Sequence, residues 1–224
     1  MSGFGKAMKF MFDRVMSFIG LAILCWVYLI IMILIKIQMP DGPVFFTQER
    51  IGRQGKRFKI HKFRTMYVDQ EGPSVAYPME GRITPLGAKL RRLKLDELPE
   101  LWDVFIGNMS FVGPRPDVPG YADCLEGEDR VILELRPGIT GPATLKYRNE
   151  EKLIINYVEK AKAEGDPRQE QEIAVWFNDN VIYPDKVRIN KYYAQHATFW
   201  LDMKMIFYTL LGKDYDCPMT ISCS

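Results

Sequence analysis

Asp96 and Glu97 stand side by side just ahead of Pro99, and downstream Arg115 is held between Pro114 and Pro116 in a Gly-Pro-Arg-Pro loop. This combination suits phosphate chemistry. A guanidinium on a stiff loop clamps phosphate oxygens bidentately. A carboxylate attacks phosphorus once a divalent cation or nearby guanidinium groups relieve the repulsion between the two anions. Asp96 is the candidate nucleophile, Glu97 the candidate metal ligand, and Arg91, five residues before Asp96, a second candidate clamp. Standing alone, an acidic pair on an amphipathic helix is a solvated surface feature, so the neighbouring elements decide the matter.

Thr84 followed by Pro85 reads as a helix start, a side-chain cap followed by the residue best suited to the first helical position. Leu86, Leu90 and Leu93 carry that helix to about Leu95. Pro99 cannot continue it but is tolerated in a first turn. Asp96 is therefore expected to cap a second helix, Glu97 to about Ile106, closed by Gly107. At such an N-terminus the free N–H groups keep a carboxylate ionised and attract phosphate. Upstream, Val44 to Gln48 is a strand candidate, and Gly52 to Gly55 turns into Arg57 to Arg64, where apolar and basic residues alternate. Its basic face, which includes Lys59, suits anionic lipid or a phosphorylated substrate better than nucleic acid. A polar loop, Asp69 to Arg82, joins the two regions.

The chain has 224 residues, 47% hydrophobic and 26% charged, with a formal net charge of +2. Its apolar residues are unevenly spread. Val15 to Ile35 is free of charge between Arg14 and Lys36, and at about 1.5 Å per residue it reaches roughly 32 Å, enough to cross a hydrocarbon core. The run ends in Lys-Ile-Gln-Met-Pro with no small-residue cleavage site, so a retained segment is expected. Both flanks are basic, Lys6, Lys9 and Arg14 before it and Lys36 and many more after. That symmetry favours a helix that dips into one leaflet and returns, over a straight anchor. Without a proline in the run, Gly20 and Cys25-Trp26 are the bend candidates. Cys25, Cys124, Cys217 and Cys223 form no CxxC pair, and only His61 and His196 accompany them, so a zinc site is not expected and reduced, cytosol-facing thiols are.

Asp96-Glu97, Met109 to Pro116, Arg136 to Gly141, Phe58 to Met66 and the N-terminal apolar helix together resemble the bacterial monotopic phosphoglycosyl transferases, the sugar transferase family. The likeness runs from about Asp13 to Arg148 and resumes at Tyr192 to Leu211. It departs from the family at Cys25-Trp26 in place of a Ser-Pro kink, at Pro142 and Tyr147 in place of an aromatic and a glycine, and at Asn190 in place of an aspartate. Glu151 to Arg188 is an expected helical surface insertion against the smallest members, either shaping the nucleotide or sugar pocket or packing toward the membrane.

The resemblance implies an α+β fold: a mainly helical membrane-associated domain with a re-entrant N-terminal helix (1–39), a catalytic domain at the membrane interface (40–216) and a tail (217–224). Lys191 to Gly212 is an expected interfacial helix, rich in aromatics. The implied reaction moves a sugar phosphate from a nucleoside diphosphate sugar, usually a UDP-sugar, to polyprenol (undecaprenyl) phosphate on the cytoplasmic face of the bacterial inner membrane. UMP is released, as the first membrane step of surface glycan or capsule assembly. Asp96 matches the aspartate that forms the phosphosugar intermediate and Glu97 the glutamate associated with Mg²⁺, with Asp96 a further metal contact. Lys62, Arg91, Arg115, Arg148 and Asp202 match phosphate- or substrate-binding positions. Expected partners are the two substrates and the bilayer, with self-association and downstream glycosyltransferases as further candidates and no nucleic acid. A catalytically dead membrane scaffold of the same fold and a bitopic protein with a non-enzymatic cytosolic domain are the alternatives.

Overall fold

The computed structural model describes residues 3–68 and 81–215. Most of the Asp69 to Arg82 loop, Cys217, Cys223 and the 217–224 tail lie outside those residues. The chain opens with a single helix, α1 (Gly3–Gln38), of 36 residues, about 54 Å long at the helical rise. By length and composition it is apolar enough to cross a membrane. Its apolar surface is largely uncovered: Phe18, Ile23, Trp26 and Ile37 are all exposed.

The other face of α1 touches the rest of the chain at points spread along its length. Near its start, Lys9 reaches the carbonyl of Val112 and the carboxylate of Asp202, and Asp13 Oδ1 accepts from Phe111 N. Midway, Arg14 donates to Ile106 O, and Leu101 packs under Gly20. Farther along, Tyr28 donates to Leu98 O, and Ile31, Ile35 and Met39 bury against Phe63, Leu86 and Leu90.

Two antiparallel strands follow, β1 (Phe45–Ile51) and β2 (Arg57–Phe63), paired from Phe45↔Phe63 to Ile51↔Arg57. This is the expected hairpin, extended three residues beyond Gln48. In α2 (Pro85–Arg92) Thr84 caps as expected, accepting from Gly87 N at 2.9 Å. Leu86 and Leu90 are buried, but the helix stops three residues short of Leu95, and Leu93 at the cap turns outward.

The Asp96 region differs from expectation. Lys94 takes a left-handed conformation (φ 56°), a 3₁₀ turn spans Leu95–Glu97, and α3 (Glu100–Ile106) starts only after Pro99. The reason is local: Pro99 has no N–H to give, and the chain passes through it on i→i+3 bonds, Leu98 N to Leu95 O and Trp102 N to Pro99 O. Asp96 is thus inside the turn and is not a helix cap. Gly107 (φ 90°) closes α3 as expected.

Strands β3 (Ser110–Val112) and β4 (Gly138–Thr140) pair in parallel, bringing the Gly-Pro-Arg-Pro and Arg-Pro-Gly-Ile-Thr-Gly segments together. Gly113 N donates to Thr140 O and Gly138 N to Pro114 O. A Cβ on Gly113 would collide with the carbonyl of Arg136, and one on Gly138 with the backbone of Gly113, so neither position accommodates a side chain.

The remainder is helical: α4 (Pro142–Lys146), α5 (Glu150–Ala163), α6 (Glu170–Phe177), a π-helical turn Asn178–Ile182, α7 (Tyr183–His196) and α8 (Phe199–Leu210). The 151–188 segment, the expected insertion, contributes Ile154, Val158, Ile173, Ala174 and Ile182 to one apolar cluster. The expected single helix over Lys191 to Gly212 is broken at Ala197–Thr198, where Thr198 caps α8 by accepting from Leu201 N. Tyr193 and Met205 are buried, while Trp200, Phe207 and Leu210 are exposed. Mainly helical with two small two-stranded sheets among the described residues, the fold is of the expected α+β kind.

Candidate active site

Glu97, Lys62 and Arg115 come together from three segments. Lys62 on β2 sits 2.7 Å from Glu97 Oε1, and Arg115 donates to the same oxygen at 2.5 Å. Burial alone would push the Glu97 carboxyl up, but Arg115 and Lys62 together hold it well below the usual carboxylate range. In return Glu97 raises the Arg115 guanidinium. The strand bearing Lys62 is pinned from its other side by His61, whose N donates to Asp103 Oδ2 at 2.9 Å while Nδ1 lies 2.8 Å from Oδ1.

Asp96 is buried beside this cluster, with Oδ1 lacking a hydrogen-bond partner among the described residues. Its pKa is raised, first by burial and then by the Glu97 charge, against the pull of Lys62, Arg91 and Lys94. The expectation of a carboxylate held ionised by a helix end is therefore corrected: without a helix N-terminus at Asp96, burial dominates. An unpartnered buried carboxylate among cations is poised for whatever cationic group or electrophile enters.

Arg91 donates its Nε to Thr65 Oγ1 at 3.0 Å. Arg148 lines the cavity described below, but its NH2 donates to Tyr208 O and Lys213 O at the end of α8. Asp202 is not brought to the cluster. It is almost fully buried between Lys9 Nζ (2.6 Å) and Tyr193 OH (2.5 Å), where it fastens α1 to α8.

The structure adds residues that the sequence reading passed over. Glu100, fully buried, lies 3.2 Å from Lys62 Nζ, and burial pushes its carboxyl up to about 7. Its spacing of three from Glu97 was the available signal, since residues three apart share one side of a helical turn. Arg115 and Glu97 open onto a cavity of about 710 Å³ whose walls include Arg50, Asp117, Tyr121, Tyr183 and Lys186. Burial raises the Asp117 carboxyl to about 6. Tyr183 and Lys186 come from the 151–188 insertion, which therefore contributes to the cavity wall. Among the described residues no group of three or more His, Cys, Asp or Glu side chains is arranged to hold a metal by itself. Mg²⁺, however, is commonly held by one or two carboxylates plus substrate phosphates, and the orphaned Oδ1 of Asp96 beside Glu97 fits that donor set.

Comparison with known proteins identifies the family of the chain. The profile of the family described as bacterial sugar transferase matches residues 4–212. A Bacillus subtilis protein, provisionally named undecaprenyl-phosphate N-acetylgalactosaminyl 1-phosphate transferase, is 41% identical over 124 residues, 54% of this chain and 69% of that protein. An Aeromonas hydrophila UDP-N-acetylgalactosamine-undecaprenyl-phosphate N-acetylgalactosaminephosphotransferase is 31% identical over 80% of this chain and 37% of its own length. The Escherichia coli UDP-glucose:undecaprenyl-phosphate glucose-1-phosphate transferase is 34% identical over 82% of this chain and 40% of its own. The chain thus spans less than half the length of the latter two. With the acidic pair, the Gly-Pro-Arg-Pro loop and the apolar helix all inside the matched region, the chain belongs to the bacterial sugar transferase family and is a phosphoglycosyl transferase.

Proposed function

We propose that this protein transfers a sugar 1-phosphate from a UDP-sugar to undecaprenyl phosphate by way of a covalent aspartyl intermediate, initiating glycan assembly at the cytoplasmic face of the inner membrane. The observation that carries the reading is Asp96, a buried carboxylate with an unpartnered oxygen next to Glu97, which Lys62 and Arg115 hold and which, with Arg115, lines a cavity large enough for a nucleotide sugar. The names of the Aeromonas and Escherichia relatives supply the substrate class.

In the first half-reaction a carboxylate oxygen of Asp96 bonds to the sugar-bearing phosphorus. The bond from that phosphorus to the bridging oxygen breaks, and UMP leaves with the electron pair. In the second, an oxygen of undecaprenyl phosphate bonds to the same phosphorus and Asp96 departs as a carboxylate. The glycosidic oxygen stays on the sugar. Arg115, freed by an incoming phosphate from its pairing with Glu97, clamps phosphate oxygens, while Lys62 keeps Glu97 oriented. Asp96 and Glu97 would hold Mg²⁺, which when bound neutralises phosphate charge.

The monotopic arrangement belongs to the same proposal. A helix crossing the bilayer would meet a cytosolic domain at one end, whereas α1 is in contact with the rest of the chain from Lys9 to Met39. That supports both ends lying on one side, with the uncovered face of α1 in lipid.

The test is UMP release from the full chain in nanodiscs with Mg²⁺, undecaprenyl phosphate, and either UDP-N-acetylgalactosamine or UDP-glucose. Wild type is expected to release UMP and to trap radiolabelled sugar phosphate on Asp96 when the acceptor is withheld. Equal release by Asp96→Asn would sink the nucleophile assignment.

A further inference from the structure

Lys94 and Gln54 are the two non-glycine residues with positive φ among the described residues, and Gln54 sits in the β1–β2 turn. Lys94, at φ 56°, follows the last turn of α2, a position that glycine ordinarily fills because it has no Cβ to clash. Retaining a side chain there is unfavourable for the backbone, and a strained residue two positions from the candidate nucleophile calls for a role for its side chain.

The surroundings suggest that role. Lys62 and Arg115 are both committed to Glu97 Oε1, and the Nε of Arg91 is committed to Thr65. The Lys94 ammonium has no such ion pair or hydrogen bond among the described residues, leaving three N–H donors in hand. Lys94 is exposed and lines the same cavity as Glu97 and Arg115. Its neighbours in that wall, Leu98 and Leu101, are the residues that α1 touches through Tyr28 and Gly20. Leu93, just before it, turns an uncovered apolar side chain outward. Tyr183 and Lys186 of α7 line the same cavity. The cavity lining therefore joins residues that also touch the apolar helix, Leu98 and Leu101, to Glu97 and to residues of the 151–188 segment.

We infer that Lys94 is the residue that receives the phosphate of the polyprenol acceptor, drawing it in from the α1 side and holding it in line with the phosphorus carried on Asp96. This rests on the proposed transfer to a lipid phosphate. A lipid phosphate whose hydrocarbon tail must stay with α1 reaches the cavity along this wall. A flexible ammonium is suited to hold it as a point charge during displacement, without competing for the oxygens clamped by Arg115.

The experiment is equilibrium binding of undecaprenyl phosphate, and separately of UMP, to the full chain in nanodiscs, comparing wild type, Lys94→Gly and Lys94→Arg. Glycine removes the ammonium while suiting the left-handed backbone, so the variant is expected to melt no lower than wild type. Lys94→Gly is expected to bind undecaprenyl phosphate about tenfold to a hundredfold more weakly, as loss of a charge-assisted contact implies, with UMP affinity within about twofold and Lys94→Arg retaining most of the lipid affinity. Unchanged lipid affinity in Lys94→Gly overturns the inference, as does an equal loss for UMP. A wild-type chain that binds neither ligand overturns the proposed function itself, and this inference with it.

Discussion

Lys9 Nζ lies 2.6 Å from Asp202 Oδ2, fastening the start of α1 to α8 across 193 positions of chain. Both groups are largely withdrawn from solvent, and Tyr193 OH completes the Asp202 environment. Lys9, one of the basic residues ahead of the uncharged run, is thus structural. It helps lay α1 along the domain.

That contact makes Asp202 separable from substrate binding. Removing one partner of a buried pair leaves an uncompensated charge, at a cost of about 3–5 kcal/mol. Lys9→Met is therefore expected to lower the melting temperature by roughly 10 °C. Asp202→Asn should also melt lower, yet bind UMP as wild type does once folded. Weaker UMP binding with an unchanged melting temperature would return Asp202 to the substrate site.

Asp96 is a site where function opposes stability. Because burial raises its folded pKa above the unfolded value, the stability contribution of this group is present at low pH and is lost as pH rises through the folded pKa. Asp96→Asn should melt at or above wild type at pH 7.5 while losing turnover roughly a thousandfold or more. The stability gain should shrink as pH falls. A lower melting temperature for the variant would contradict this account.

Glu100 sets a measurable pH window. Its unfolded value is 4.5 and its folded value is raised to about 7 by burial. Its contribution is fully present below about pH 4.5 and is lost by the time pH passes about 7, a change on the order of 3 kcal/mol. Glu100→Gln should therefore flatten the fall in stability across that interval and exceed wild type above it. Urea unfolding from pH 5 to 8 reads the slope, and identical slopes for the two proteins would refute the assignment.

The Gly113–Gly138 contact sets the position of Arg115. A methyl group at Gly113 would collide with the carbonyl of Arg136 and force β3 and β4 apart. Gly113→Ala is expected to cost several-fold more UMP affinity than Thr209→Ala, a change at another residue of the cavity wall. Equilibrium binding of UMP to both variants checks this.

Topology can be read by thiol labelling. In a chain whose cysteines are replaced by serine, Lys6→Cys and Gln38→Cys sit on exposed positions near the two ends of α1. If α1 lies along the cytosolic domain, neither reacts with an impermeant maleimide in intact spheroplasts and both react after lysis. Labelling of Lys6→Cys alone in intact spheroplasts would indicate a crossing helix.

Much of this fold was legible in local patterns. The uncharged run forms α1, Thr84-Pro85 starts α2, Gly107 stops α3, and alternation marks β2, because caps, proline, glycine and periodicity act over a few residues. The acidic pair and the Arg115 loop were legible for the same reason, their residue types being the chemistry. Tertiary structure alone decided that Lys62 and Arg115 meet on one oxygen of Glu97, that Glu100 joins them, and that Asp202 is engaged with Lys9. It also reversed the expected electrostatics of Asp96, where burial outweighs the helix end that Pro99 displaced. Contacts between segments dozens of residues apart, and the desolvation they impose, depend on how faces pack rather than on spacing along the chain, and no local rule carries that information.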